Sequence, residues 1–143
     1  MKAYQVALLA AGAVVAGVTV VVAPGFILDA VFGSPCGNQP LAEVRSPGGA
    51  RKAVVFQRDC GATTGFTTQV SVLPPGGDLP DDGGNVFVAD DDDGAAPAGP
   101  GGGPAVYVAW LDDTRMVIRH HPRARVFRAE PRVGPVEVRY ELR

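Results

Sequence analysis

The chain has 143 residues, a formal net charge of −2, and many glycines and prolines, 19 and 13. That length suits one domain with an appendage, and the glycine and proline content points to short strands joined by many turns. The charge balance removes a strongly basic nucleic-acid binder but leaves other partners, and enzymes, open.

Val6 to Leu28 carries no charged side chain and is dominated by Ala, Val, Leu and Ile. A run of this length exceeds the roughly 20 residues that cross a bilayer core as a helix. Lys2 precedes it and Asp29 follows it, so the positive-inside tendency puts the N-terminus in the cytoplasm and the rest outside. Residues 1–32 are expected to form a transmembrane anchor or signal-anchor, with the membrane as its partner. A cleaved signal peptide is the alternative, although no A-x-A-like site is clear near Pro24–Gly33. Pro35 before Cys36 argues against a lipoprotein.

Residues 36–143 are expected to form the extracytoplasmic domain, periplasmic or at the cell surface. Its two cysteines, Cys36 and Cys60, read most simply as one disulfide in an oxidising compartment. The rival reading is a reactive Cys60 thiol, with Arg58 nearby to favour thiolate.

Leu41–Arg45, the Ser46-Pro47-Gly48-Gly49 turn and Arg51–Arg58 predict strand, turn, strand. Ala53–Phe56 and Thr67–Leu73 are β-branched runs that predict a hairpin, with Gln69 and Ser71 on one face and Thr68, Val70 and Val72 on the other. The intervening Arg58–Gly65 loop is longer than a tight turn, and loops of that size on a rigid sheet often carry function. Arg58, Asp59, Thr63 and Thr64 are its candidate interaction residues. The plainer reading has Cys60 tying the loop down while its threonines bond their own backbone.

Pro74–Gly84 predicts a turn-rich loop before a short strand at Asn85–Ala89. Asp90–Pro104 combines four aspartates with Gly, Pro and Ala, too little apolar surface to order itself, and is expected to be a flexible acidic loop. Ala105–Leu111 and Met116–His120 predict a hairpin through Asp112–Arg115. Arg125–Ala129 and Pro135–Leu142 predict another, in which Val136, Val138, Tyr140 and Leu142 alternate with Glu137, Arg139 and Glu141 as in a strand with one wet face. These add up to an all-β, small antiparallel sandwich or barrel-like domain of about seven strands, preceded by one transmembrane helix.

Chemistry-bearing motifs are scarce. Asp90–Gly94 fails the EF-hand spacing, since aligning Gly94 as the invariant glycine puts Ala89 first and Pro100 twelfth; loose calcium binding by Asp90–Asp93 is what remains. His120 and His121, adjacent on a strand, face opposite sides and make a poor chelate. Gly101–Gly103 reads as a linker, and no Gly-x-Ser-x-Gly, phosphate loop or dinucleotide fingerprint is present. No catalytic, cofactor or metal-binding residue is therefore assigned. Trp110, Tyr107, Phe87 and Phe66 offer an aromatic platform, against the commoner reading of strand aromatics as core. Residues 78–113 hold nine acids and no Lys or Arg, while 115–143 hold eight arginines and three acids. Either the two regions fold against each other, or the arginines face anionic lipid or surface polymers.

The run F-Q-R-D-C-G-A-T-T-G-F-T-T-Q-V-S from Phe56 to Ser71 resembles the signature of a family of small, uncharacterised bacterial membrane-anchored or secreted proteins. Cys36-Gly37-Asn38, Ser46–Gly49, Asn85–Val88 and Trp110–Asp113 are similar to further pieces of it. The resemblance spans most of residues 36–140 and implies a shared fold and location but no catalytic residues. Where that family tends to read Ser-Pro-Asp-Gly, this chain has Gly48.

Function is thus expected to be non-enzymatic, an interaction or envelope-associated module with an unknown protein or envelope-polymer partner and no nucleic acid. The alternative is a small envelope hydrolase using Cys60 or carboxylates among Asp59, Asp112 and Asp113.

Overall fold

A computed structural model describes residues 36–61 and 65–143. The expected N-terminal helix lies outside them. Among the described residues no helix is long and apolar enough to cross a membrane, and all regular structure is strand. The expected β1–β2 and β2–β3 hairpins are present, as β1 (Gly37–Arg45), β2 (Lys52–Asp59) and β3 (Thr67–Leu73). The rest are β4 (Phe87–Asp90), β5 (Val106–Asp112), β6 (Arg115–His120), β7 (Arg125–Ala129), β8 (Arg132–Val133) and β9 (Val136–Leu142). They form a five-stranded sheet, β1-β2-β3-β4-β7, and a four-stranded sheet, β5-β6-β9-β8.

Local chemistry sets the turns. In the Ser46–Gly49 turn the Gly49 N–H donates to the Ser46 carbonyl at 2.9 Å, and Ser46 Oγ accepts from the Arg51 N–H at 3.1 Å. Asp112 Oδ1 accepts from the Thr114 N–H at 2.9 Å, an Asx turn that ends β5 and starts β6. The disulfide closes the other end of the first hairpin. Cys36 and Cys60 follow directly on the Gly37↔Asp59 pair.

One core lies between the sheets. Ala53, Val55, Val70, Val72, Phe87 and Ala89 face Met116, Ile118, Val136 and Val138, with Val106, Val108, Trp110 and Tyr140 packed around them. Two polar tips bind across the gap. Trp110 Nε1 donates to the Val44 carbonyl at 2.9 Å, and the Tyr140 hydroxyl donates to the Glu130 carbonyl at 2.6 Å, with the Val86 carbonyl 3.2 Å away. Burial, and after it the Glu130 charge, push the Tyr140 phenol well up.

Three expectations change. The β7–β9 hairpin does not form: β7 pairs with β4 in one sheet, while β9 pairs with β8 and runs parallel to β6 in the other. The reason is burial, since Val136 and Val138 enter the core beside Met116 and Ile118 while all five residues of β7 are exposed. The four-stranded sheet is therefore mixed rather than antiparallel, and the two sheets together hold nine strands rather than about seven.

Second, the 74–85 loop is a strap across the outer face of the five-stranded sheet. Asn38 Nδ2 donates to the carbonyls of Pro80 and Asp82 at 2.9 and 2.7 Å, and the Gly84 N–H donates to Gln69 Oε1 at 2.6 Å. Asn85 bonds both the N–H and the carbonyl of Val72, at 2.8 and 2.9 Å, as a strand would. Gln69 and Ser71 do face away from Val70 and Val72, but under the strap β3 is buried on both faces.

Third, the Gly-rich run is not a linker. Gly103 lies so close to Thr67 and Thr68 that any side chain there would meet the Thr67–Thr68 backbone at 3.0 Å, and Thr68 Oγ1 donates to the Pro104 carbonyl at 2.6 Å. Composition suggests flexibility across 90–104, yet Ala96 and Pro104 are buried there.

Candidate functional site

The residues singled out around the central loop separate in the structure. Cys36 and Cys60 are disulfide-bonded, with Cα atoms 3.8 Å apart. Asp59 Oδ1 turns back on its own loop to accept from the Gly61 N–H at 3.0 Å. Arg58 leaves the loop altogether. It is only 14% exposed in its side chain, and its Nη1 donates to Asn38 Oδ1 at 2.7 Å and Asp81 Oδ1 at 3.1 Å. That pair locks the strap to β1 and β2. Thr63 and Thr64 lie outside the described residues.

Beside Arg58 the outer face of the five-stranded sheet opens into a cleft of about 440 Å³. The pairing register explains its walls. Thr67 and Gln69 on β3 share the outer face with Val88 and Asp90 on β4, and these face Arg128 and Arg125 on β7. Thr67, Gln69 and Val88 form the floor; Arg58, Cys60 and Gly65 stand at one end, and Gly83, Phe127 and Arg128 at the other.

Phe127 is there because of a bulge. Val88 pairs with Arg128, but the next residue, Ala89, pairs with Val126. One extra residue on β7, Phe127, has no partner on β4, and bulges of this kind re-aim side chains at sheet edges and binding sites. Phe127 is 60% exposed. Sequence reasoning missed it, along with Arg128, because the run R-V-F-R-A reads as ordinary alternation.

The floor's polar atoms are already engaged. Gln69 Nε2 donates to Thr67 Oγ1 at 2.8 Å, Thr67 Oγ1 donates to the Arg58 carbonyl at 3.0 Å, and Gln69 Oε1 takes the Gly84 N–H. Arg128 Nη1 donates to the Gly84 carbonyl at 2.8 Å, and its Nε stands 3.9 Å from Glu130.

Next to the cleft, Arg125 binds Asp90 at 2.6 Å and Asp92 at 3.3 Å. Burial raises the Asp90 carboxyl, but the Arg125 hydrogen bond, the Asp92 N–H and the Arg125 charge outweigh it and hold the carboxyl below its usual range. Here the acidic and basic halves of the sequence do meet. Among the described residues no group of three His, Cys, Asp or Glu is placed to hold a metal ion.

The other carboxylates do not converge with Asp59. Asp113 Oδ1 accepts the Gly48 N–H at 2.8 Å, and Asp112 is held below its usual range by the Arg115 hydrogen bond and then by Thr114. Both lie near the start of β2 and Asp59 at its end, about 23 Å away along eight residues.

His120 ends β6 and His121 lies beyond the strand, so both border a second, smaller cleft of about 210 Å³ with Tyr107 and Arg143. His120 packs on Phe87 at 5.3 Å between ring centres. The four aromatics do not form one platform: Phe87 is buried and Trp110 packs on the core, while Tyr107 and Phe66 are exposed.

Comparison with protein-family models, curated proteins and solved structures gives no match. The segments that carry the family resemblance hold the fold together: Asn38 ties the strap, Gly48 binds Asp113, Asn85 extends the β3 ladder, and Trp110 joins the sheets.

Proposed function

We propose that this chain is a membrane-anchored, extracytoplasmic binding module that engages an envelope partner through the Arg58–Phe127 cleft and makes no bonds in it. The apolar run Val6–Leu28 supplies the anchor and the location. The observation that carries the binding role is the bulge, which places an exposed aromatic over a cleft whose opposite end is fixed by a disulfide. Exposed aromatics in a concave, otherwise well-tied surface are the usual anchors of an interface.

The hydrolase alternative needs a thiolate or facing carboxylates. Cys60 is disulfide-bonded, and the aspartates sit at opposite ends of β2.

The test is site-specific photocrosslinking of the full chain in its own membranes, with benzoylphenylalanine at position 127 or at position 111, an exposed residue of the other sheet. A discrete adduct from 127 that is absent from 111, in alkali-washed membranes, is the expected result. Equal labelling from both, or recovery of the chain in the wash, would overturn the reading.

A further inference from the structure

We infer that the cleft takes the carboxylate side chains of an extended acidic peptide segment, with an apolar residue between them seated on Phe127 and Val88. This deepens the binding role proposed above and rests on it.

The donor balance of the cleft points to this ligand. Its floor oxygens are bonded within the sheet, as Thr67 and Gln69 show. What its side chains still offer is donors. A guanidinium carries five N–H groups; Arg58 engages Nη1, and Arg128 engages Nη1 with only a long approach of Nε to Glu130. A sugar hydroxyl must donate as well as accept, so a neutral glycan would leave its own protons unpaired there. A carboxylate only accepts, and the planar fork of arginine matches it in two parallel bonds.

Spacing agrees with an extended chain. Both guanidinium groups rest on the strap, Arg58 at the Asp81 carboxylate and Arg128 at the Gly84 carbonyl, and their strands, β2 and β7, stand three sheet spacings apart, about 14 Å. Residues four apart in an extended segment lie about 13 Å apart on one face, which lets two carboxylates at that spacing reach the two arginines. The 60% exposed Phe127 and half-buried Val88 then cover what lies between.

Strand addition along β7 itself is the weaker geometry, although its outer edge is open. The strand is five residues long, is flanked by Arg125 and Arg128, and carries the bulge, all features that blunt edge pairing. The ligand therefore lies on the face of the sheet.

The experiment uses the full chain in nanodiscs of uncharged lipid and fluorescence anisotropy of a labelled pentapeptide of alternating glutamate and leucine. Comparison probes are the same peptide with glutamine for glutamate and a labelled oligogalacturonate. Saturable binding of the glutamate peptide is expected. It should weaken about tenfold or more in Arg128→Gln and in Phe127→Ala, fall with added salt, and stay unchanged in Arg143→Gln at the second cleft. Phe127 is exposed and has no partner on β4, so Phe127→Ala should keep the wild-type melting temperature, while Arg128→Gln gives up the Gly84 bond and should lower it by only a few degrees. Equal binding of the glutamine peptide, or no response to either cleft substitution, would overturn the inference. Binding of oligogalacturonate alone, lost in the same variants, would overturn the peptide assignment but leave the cleft as the binding surface. If no probe binds while the 127 crosslink still forms, the ligand class is wrong and the site stands.

Discussion

Replacing both cysteines, Cys36→Ser with Cys60→Ser, tests how this domain is stabilised. The bond closes a loop with a sequence separation of 24. The chain-entropy argument gives about 11–12 cal/mol/K for that length, or about 3.4 kcal/mol at 25 °C. In the folded state little else should change. The bond sits at the open end of a β1–β2 ladder already paired from Gly37↔Asp59 to Arg45↔Lys52, and the two cysteines are only half-buried. The loss therefore belongs to the unfolded chain, which expands once the crosslink is gone. Urea unfolding followed by fluorescence of the single tryptophan should show about 3 kcal/mol less stability together with a steeper m-value, since more surface becomes exposed. At about 2.1 cal/mol/K per residue, the melting temperature should fall by roughly 15 °C. A loss under about 1 kcal/mol with an unchanged m-value would refute this, because it would mean the reduced unfolded state is already as compact as the crosslinked one.

Acid should weaken the domain below about pH 4. Asp90 titrates lower in the folded state than in the unfolded one, so its contribution is complete above the unfolded value and disappears as pH falls through the folded one. Asp90→Asn should flatten that acid limb by up to about 1 kcal/mol, measured as the difference in melting temperature between pH 7 and pH 3. Trp110→Phe should cost about 1 kcal/mol by calorimetry, the value of the bond to the Val44 carbonyl; a neutral result would show that water replaces it at no loss. Gly84→Ala should cost about 1–3 kcal/mol, because a methyl there meets the backbone carbonyls of Phe87 and Val70 at 2.6 and 2.8 Å. Its neighbour Gly83 meets only Gln69 Oε1, at 3.5 Å, so Gly83→Ala should be near neutral, and equal effects would refute the close-approach account.

The all-β class and the hairpins β1–β2, β2–β3 and β5–β6 were legible because each joins neighbours in sequence and each strand alternates or is β-branched. The alternation of Val136 and Val138 was also right, but alternation names a buried face and not a partner. Choosing β6 over β7 depends on which strand completes the core at Met116 and Ile118, a long-range choice that no local window contains. The packing of the 74–85 loop onto the sheet, and the burial inside 90–104, were not legible for a related reason. Glycine, proline and aspartate predict turns, yet Gly84 and Gly103 let backbone lie directly on a sheet, and Asn38, Gln69 and Thr68 supply the bonds that hold it there. A composition argument weighs buried side chains and so overlooks a loop packed through its main chain.

The site was legible at one end only. Arg58 stood out beside Cys60, but its partners Asn38 and Asp81 come from distant segments. Phe127 and Arg128 were hidden by the bulge, whose one sequence trace is the three-residue spacing of Arg125 and Arg128 on a strand. The physics of that spacing accounts for the bulge itself. In regular pairing from Asp90↔Arg125 onward, Arg128 would stand opposite Phe87, on the other face of the strand and away from the strap. It would lose its bond to the Gly84 carbonyl, and a hydrogen bond from a charged group is worth about 1.5–3 kcal/mol. Inserting Phe127 returns Arg128 to the outer face, where the Gly84 carbonyl accepts from it, while Arg125 keeps Asp90. Two arginines that must both reach outer-face partners thus force the one extra residue, and that residue is the aromatic that overhangs the cleft.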